Sequence, residues 1–147
     1  MEVSMKKGIV LSLLLTVVFL ATGCTAKQSK LVCTQTTSGV DITFNVEFNG
    51  NVIKNMDFMY DMDLSKYSDT QVNAIAKQDF CTRVKSSMAT FKDAFTDCKQ
   101  DVSNKHLNVK SVLDVDKITK SYLSKISKPE SAKSELESVG YTCTIQK

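Results

Sequence analysis

The chain has 147 residues, 42% of them apolar and 24% charged, with a formal net charge of +3. That length fits one domain, and the balance excludes both a disordered chain and the strong basicity of a nucleic-acid binder. One His, one Pro, five Gly and no Trp leave little material for the commoner catalytic constellations.

The first segment reads as an address. Lys6 and Lys7 form a basic n-region, and residues 9–21 are an apolar run of 13. A spanning helix needs about 20 apolar residues, so the run is the h-region of a signal helix. Met5 heads a cleaner n-region than Met1, because Glu2 weakens the positive charge; both starts stay open. Leu20-Ala21-Thr22-Gly23-Cys24 resembles the lipobox of bacterial lipoproteins, where small residues let the signal peptidase close on the backbone. Ala21 stands where Leu is usual, with Leu20 beside it. The resemblance implies that residues 1–23 are removed. Cys24 would then carry a thioether-linked diacylglycerol and palmitate-type acyl chains, which hold the protein in the cell envelope on the extracytoplasmic side of a membrane. Each buried CH₂ adds about 0.8 kcal/mol to such an anchor. An ordinary secreted protein with a Cys near its signal is the alternative.

Five Cys less Cys24 leave Cys33, Cys81, Cys98 and Cys143. An even number in an exported chain points to disulfides, and four allow three pairings. No CxxC occurs, which argues against a thioredoxin-like centre and zinc-finger spacing. Four buried free thiols are the bland alternative.

Residues 24–30 form a short polar, lipidated tether, and residues 31–147 a single domain. Residues 31–37 read as a strand, followed by the turn signal Ser38-Gly39. Val40, Ile42, Phe44, Val46 and Phe48 alternate with Asp41, Thr43, Asn45, Glu47 and Asn49, the period-two pattern of a strand with one buried and one wet face. Asn49-Gly50 is a strong hairpin signal. A third strand places Val52, Met56, Phe58, Tyr60 and Met62 on one face, with Lys54 as the exception. Ser68-Asp69-Thr70-Gln71 is a capping box, and Val72, Ile75, Ala76, Phe80, Val84, Met88 and Phe91 recur at helical spacing. Together they predict one amphipathic helix over residues 69–92, with Cys81 at the edge of its apolar stripe.

Residues 94–102 and 106–115 then form a second hairpin around Ser103-Asn104-Lys105. Leu107, Val109, Leu113 and Val115 share a face that Ser111 interrupts. Ile118, Tyr122, Leu123 and Ile126 suggest a short helix. Ser127-Lys128-Pro129-Glu130 is a second capping-box candidate. Ala132, Leu136 and Val139 form a helical face before Gly140, which suits a left-handed C-cap. Residues 141–145 alternate as a last strand. The expected fold is therefore α+β: an antiparallel sheet of meander, second hairpin and C-terminal strand, with helices packed on one face after the N-terminal signal helix. The short interval from Cys81 to Cys98 lets a strand fold back over the helix, which favours pairing these two. Cys33 and Cys143 would then join the first and last strands.

Lipobox, NG-turned meander, long helix, second hairpin and a C-terminal helix ending in Gly140-Tyr141 resemble the YehR-like family of small bacterial lipoproteins over most of the mature chain. That resemblance implies an envelope lipoprotein and no assigned activity.

Asp57, Asp61, Asp63 and Asp69 cluster around the third strand. Asp61-x-Asp63-x-Ser65 begins like a calcium loop, but Lys66 and Val72 occupy its Gly and Glu positions. A solvated acidic face is the stronger reading, and no metal site is expected. Met56, Met59 and Met62 are adaptable packing residues rather than a Cu(I) set. His106 could in principle activate a thiol, but it falls in a polar turn region and the thiols are expected to be oxidised. No GxSxG, HExxH or phosphate-binding Gly loop occurs. Removing Lys6, Lys7 and Glu2 from 19 basic and 16 acidic residues leaves 17 and 15. No basic stripe emerges, so nucleic acid is not an expected partner. Lys77, Arg83, Lys85 and Lys92 read as a solvated helix face, with contact to anionic headgroups or wall polymers as the sharper possibility.

The expectation is a lipid-anchored envelope protein that is not an enzyme and needs no cofactor. Its domain would be a surface or interaction module meeting an unknown protein or small ligand. The alternative is a small-ligand or metal-ion carrier using a pocket between sheet and helices.

Overall fold

The computed structural model describes residues 26–147. The expected signal segment, residues 1–23, and Cys24 lie outside the described residues. The alternation of the first hairpins is realised in three long strands, β1 (Gln28–Thr37), β2 (Val40–Asn49) and β3 (Val52–Asp63). β1 starts at Gln28, inside the stretch expected to be tether. Helix α1 (Asp69–Ala76), helix α2 (Phe80–Ser87) and a 3-10 segment (Ala89–Ala94) follow. The second hairpin is β4 (Phe95–Ser103) and β5 (His106–Leu113). A short 3-10 turn (Val115–Lys117), α3 (Lys120–Lys125), α4 (Pro129–Ser138) and β6 (Thr142–Gln146) complete the chain.

All six strands join one sheet in the order β4-β5-β3-β2-β1-β6, and every pairing is antiparallel. The fold is α+β. One sheet face carries the core: Leu31 and Cys33, Phe44, Val46 and Phe48, Met56 and Phe58, Leu107, Val109 and Leu113 are all buried. Phe80, Val84, Phe91, Ile118, Ile126, Ala132 and Leu136 close over it, and α4 packs across β1 and β6. The opposite face, with Asp41, Glu47, His106 and Lys110, is exposed. At roughly 25 cal/mol per Å² of apolar area removed from water, this single-sided burial is the main favourable term.

Four local expectations need correction. Residues 69–92 are not one helix. The backbone breaks at Lys77 and Gln78, and Asp79 starts a new helix as its N-cap, accepting from the Thr82 amide at 3.0 Å and its hydroxyl at 2.7 Å. The Gln100 side chain holds the break from the sheet: its Oε1 accepts from the Phe80 amide and its Nε2 donates to the Gln78 carbonyl, both at 2.8 Å. Apolar periodicity runs through this break because α1, α2 and the 3-10 segment follow one another along the same sheet face.

Val52 is not in the core. A bulge between Glu47 and Phe48 places Phe48 opposite Ile53, so Lys54 is the extra residue. One extra residue inverts the pleat beyond it. Ile53 therefore packs against the core, while Val52 is 56% exposed. The β2–β3 turn is centred on Gly50-Asn51 rather than Asn49-Gly50, with Asn49 still paired to Val52. Of these two central residues only Gly50 has positive φ, at +62°, which suits a turn with Gly first.

The last helix is capped by Lys128, not Ser127. The Lys128 amide donates to the Ser131 hydroxyl at 3.2 Å. Gly140 ends this helix as expected, at φ +101°. The Gly140 amide reaches the Glu137 carbonyl at 3.1 Å and the Tyr141 amide the Leu136 carbonyl at 3.2 Å, the double return of a Schellman motif.

Two disulfides are present. Cys33–Cys143 joins directly opposed residues of β1 and β6, with Cα atoms 4.1 Å apart. Cys81–Cys98 ties α2 to β4 across 5.9 Å.

Candidate functional site

The sheet's core face is incompletely covered. Between it and the helices lies a cleft of about 720 Å³, within the range of small-molecule sites. Its floor is Ile42 and Phe44 of β2 with Phe58 and Tyr60 of β3, placed side by side by the registers Ile42↔Tyr60 and Phe44↔Phe58. Val84, Met88 and Phe91 form one wall, and Tyr122, Leu136, Val139 and Tyr141 the other. The break before α2 and the change to 3-10 geometry after Ser87 bend the covering segment, so that Met88 and Phe91 meet the sheet while Ser87, Ala89 and Thr90 remain at an exposed rim. Val139, 60% exposed, stands on the opposite rim.

Phe44 is the hub of the aromatic packing. Its ring centroid lies 5.2 Å from Phe58, 5.5 Å from Phe91 and 5.5 Å from Tyr141, and Phe91 meets Tyr122 edge-on at 5.2 Å. Edge and tilted contacts of this kind are the favoured aromatic geometries.

Polar groups line the cleft as well. Tyr60, Tyr122, Tyr141 and Gln35 border the cleft, with the ion pair of Lys125 Nζ and Glu135 Oε1, 3.6 Å apart, at its edge. Burial raises the Tyr122 phenol, assisted by the charge of Glu135, to about 12. Burial also raises Tyr141, and burial together with nearby Tyr67 raises Tyr60. Phenols kept neutral in this way can donate hydrogen bonds into the cleft and present a ring face beside each donor. The site is suited to a partly apolar small molecule bearing a few acceptor atoms. It offers no nucleophile paired with a base.

The other singled-out residues lie elsewhere. His106 opens β5 on the exposed sheet face, where its Nδ1 lies 2.7 Å from Asp61 Oδ1. That hydrogen bond, then the Asp61 charge, with smaller help from Asp63 and Asp41, raises the imidazole above its ordinary value. Among the described residues no free thiol stands beside it, since Cys33, Cys81, Cys98 and Cys143 are all bridged. The four aspartates do not converge. Asp57 accepts from Asn55, Asp61 meets His106, Asp63 accepts from the Ser65 amide at 2.8 Å, and Asp69 faces Lys105 at 3.6 Å. Among the described residues no three His, Cys, Asp or Glu side chains gather as a metal-ligand set. Met56 is buried in the core and Met62 packs against it, while Met59 lies on the opposite face of the strand. Lys77, Arg83, Lys85 and Lys92 are all exposed, and Arg83 lies over the Phe80 ring, 5.4 Å from its centroid.

The carrier alternative placed a pocket between sheet and helices, but the sequence did not show which residues line it. Its aromatic residues all register as core by periodicity, and only the packing of α2, α3 and α4 decides which of them remain reachable.

Neither a family model nor a curated protein matches this chain. A solved NMR structure of a protein from Streptococcus pneumoniae TIGR4 is similar at 13% identity and a TM-score of 0.43, covering 83% of this chain and 87% of that one.

Proposed function

We propose that this chain is a bacterial envelope lipoprotein of the YehR-like kind, cleaved after an N-terminal signal helix and lipidated at Cys24, whose domain binds a small, partly apolar ligand without transforming it. The cleft between sheet and helices carries this reading. It is large enough for a small molecule, walled by aromatic rings and served by neutral phenols. Among the described residues the large exposed apolar side chains are Val52, Tyr67, Val112 and Val139, one each from β3, the loop after it, β5 and the end of α4, and singly exposed apolar residues do not mark a protein-docking module. The cleft therefore favours the carrier reading over the surface module. The lipobox at residues 20–24 and the short h-region support the anchor.

The test of the cleft uses an anilinonaphthalene sulfonate dye as probe, together with native mass spectrometry of protein taken from its own envelope. Val139→Trp fills the rim from an exposed position and leaves the core untouched. It is expected to weaken dye binding at least about tenfold with an unchanged urea midpoint, and the wild-type protein to retain a small-molecule mass. Unchanged dye binding in Val139→Trp, with no retained mass, overturns the assignment. For the anchor, Cys24→Ala is expected to accumulate as precursor without acyl mass. Normal processing and lipid labelling of that variant would exclude lipidation there.

A further inference from the structure

The two ends of the sheet differ in charge. One end contains the start of β1, the β2–β3 turn, the finish of β6 and the first turn of α4. Lys27 and Gly50 meet there through a 2.9 Å backbone hydrogen bond, and Lys30 pairs with Gln146. Lys27, Lys30, Lys54, Lys128 and Lys147 border two adjoining grooves at this end, whose linings hold two carboxylate side chains, Glu47 and Glu130. The far end holds the β1–β2 and β4–β5 turns. There the strand registers set Asp41 beside Asp61, Asp61 beside Asn108 and Asn108 beside Asp101. Three of these four residues are carboxylates, with Asp63 next to them, and Lys66, Lys105 and His106 answer them in part.

We propose that the lysine end is a docking face for anionic phospholipid headgroups, seating the domain upright on the membrane that holds Cys24. The inference rests on the lipid anchor proposed above. Only three residue steps separate Cys24 from Lys27, and an extended chain spans at most about 3.6 Å per step. Lys27 is therefore held within about 11 Å of the acylated residue, close to the Debye length of about 8–10 Å at physiological salt. At that range a lysine collar feels the negative surface potential of an anionic leaflet. The carboxylate row at the opposite end is repelled by the same field. The charge asymmetry thus gives orientation as well as attraction. The cleft floor, at Ile42, Phe44, Phe58 and Tyr60, lies on the far-end side of the collar and stays clear of the bilayer.

The test is amine acetylation of the mature lipidated protein on vesicles of phosphatidylcholine, with and without phosphatidylglycerol, read by mass spectrometry lysine by lysine. Lys27, Lys30, Lys54, Lys128 and Lys147 are expected to label several-fold more slowly on the anionic vesicles at low salt, and equally on both at high salt. Lys66 and Lys105 are expected to be unaffected. Replacing Lys30, Lys54 and Lys128 by Gln should abolish the difference in labelling at Lys27 and Lys147 between the two vesicle types while the protein still floats with the vesicles. Equal labelling of the five on both vesicle types, in a protein that floats and carries acyl mass, overturns the docking face and leaves the anchor intact. A protein without acyl mass overturns the anchor, and the docking face with it. Protection by a soluble polyanion but not by anionic vesicles assigns the collar to a wall polymer instead and also overturns the proposal.

Discussion

At the scale of single residues, Phe44 carries the most structure. It is 1% exposed, touches the rings of Phe58, Phe91 and Tyr141, and forms part of the cleft floor. Phe44→Ala is expected to cost about 3–5 kcal/mol, the range for truncating a buried aromatic. Thr43→Ala, one residue along on the opposite sheet face, is expected to stay within about 0.5 kcal/mol. Urea midpoints of the two variants check both the register and the core. His106 offers a pH-dependent counterpart. Its folded pKa is raised from 6.5, first by the Asp61 hydrogen bond. The protonated pair therefore stabilises the fold fully below 6.5, and the contribution is lost as pH rises through the raised folded value. An NMR titration of the single imidazole should show the elevated midpoint, and Asp61→Asn should return it toward 6.5. An unchanged midpoint in that variant would show that the 2.7 Å contact does not control the imidazole. Tyr122 titrates at the other extreme. With a folded pKa of about 12 against an ordinary 10.0, its burial favours the fold below pH 10, and this contribution fades between pH 10 and 12. A phenolate absorbance titration should show late-ionising tyrosines, with a component near pH 12 that Tyr122→Phe removes.

Among the elements, the strands were the most legible in the sequence and the covering helices the least. The alternation from Val40 to Asn49 needed nothing beyond its own pleat, and Gly140 closes its helix by local geometry alone. The Lys54 bulge was signalled only by a charged residue on an apolar face, because a bulge is a relation between two strands. The helix break was hidden for a similar reason: Gln100, 20 residues beyond Phe80, supplies the bonds that hold it open, although Asp79 followed three residues later by Thr82 was a local N-cap signal that could have been weighed. Gln100→Ala is expected to cost about 1–3 kcal/mol, since it leaves the Phe80 amide and the Gln78 carbonyl without their partner in a partly buried place. A hydrogen-exchange map should show faster exchange confined to α1 and the first turn of α2; protection equal to wild type would mean the break is held by packing. Gly140→Ala is expected to cost more than about 1 kcal/mol, because φ is +101° and an added Cβ would come within 2.9 Å of the Gln35 side chain.

For the molecule as a whole, the two disulfides act over very different lengths of chain. Cys33–Cys143 spans 110 residues and Cys81–Cys98 only 17. In the chain-entropy description these correspond to about 4–5 and about 3 kcal/mol. Replacing the first pair by Ser should therefore lower the thermal midpoint more than replacing the second. The reverse order would show that fastening α2 to β4 matters more than the closed loop. The long bridge has a mechanical side as well. A pull entering the domain at Gln28 can peel residues 28–32 away from β2 and β6, one rung after another, because hydrogen bonds and the burial of Leu31 hold them but no covalent cross-link does. At Cys33 the peeling stops. From there the load passes through a covalent bond into Cys143 and the last strand, so both ends of the chain must be dragged together before the sheet can open. Under tension the domain would behave less like a zipper than like a buckle, yielding a few residues of slack and then holding until the sulfur bridge is reduced.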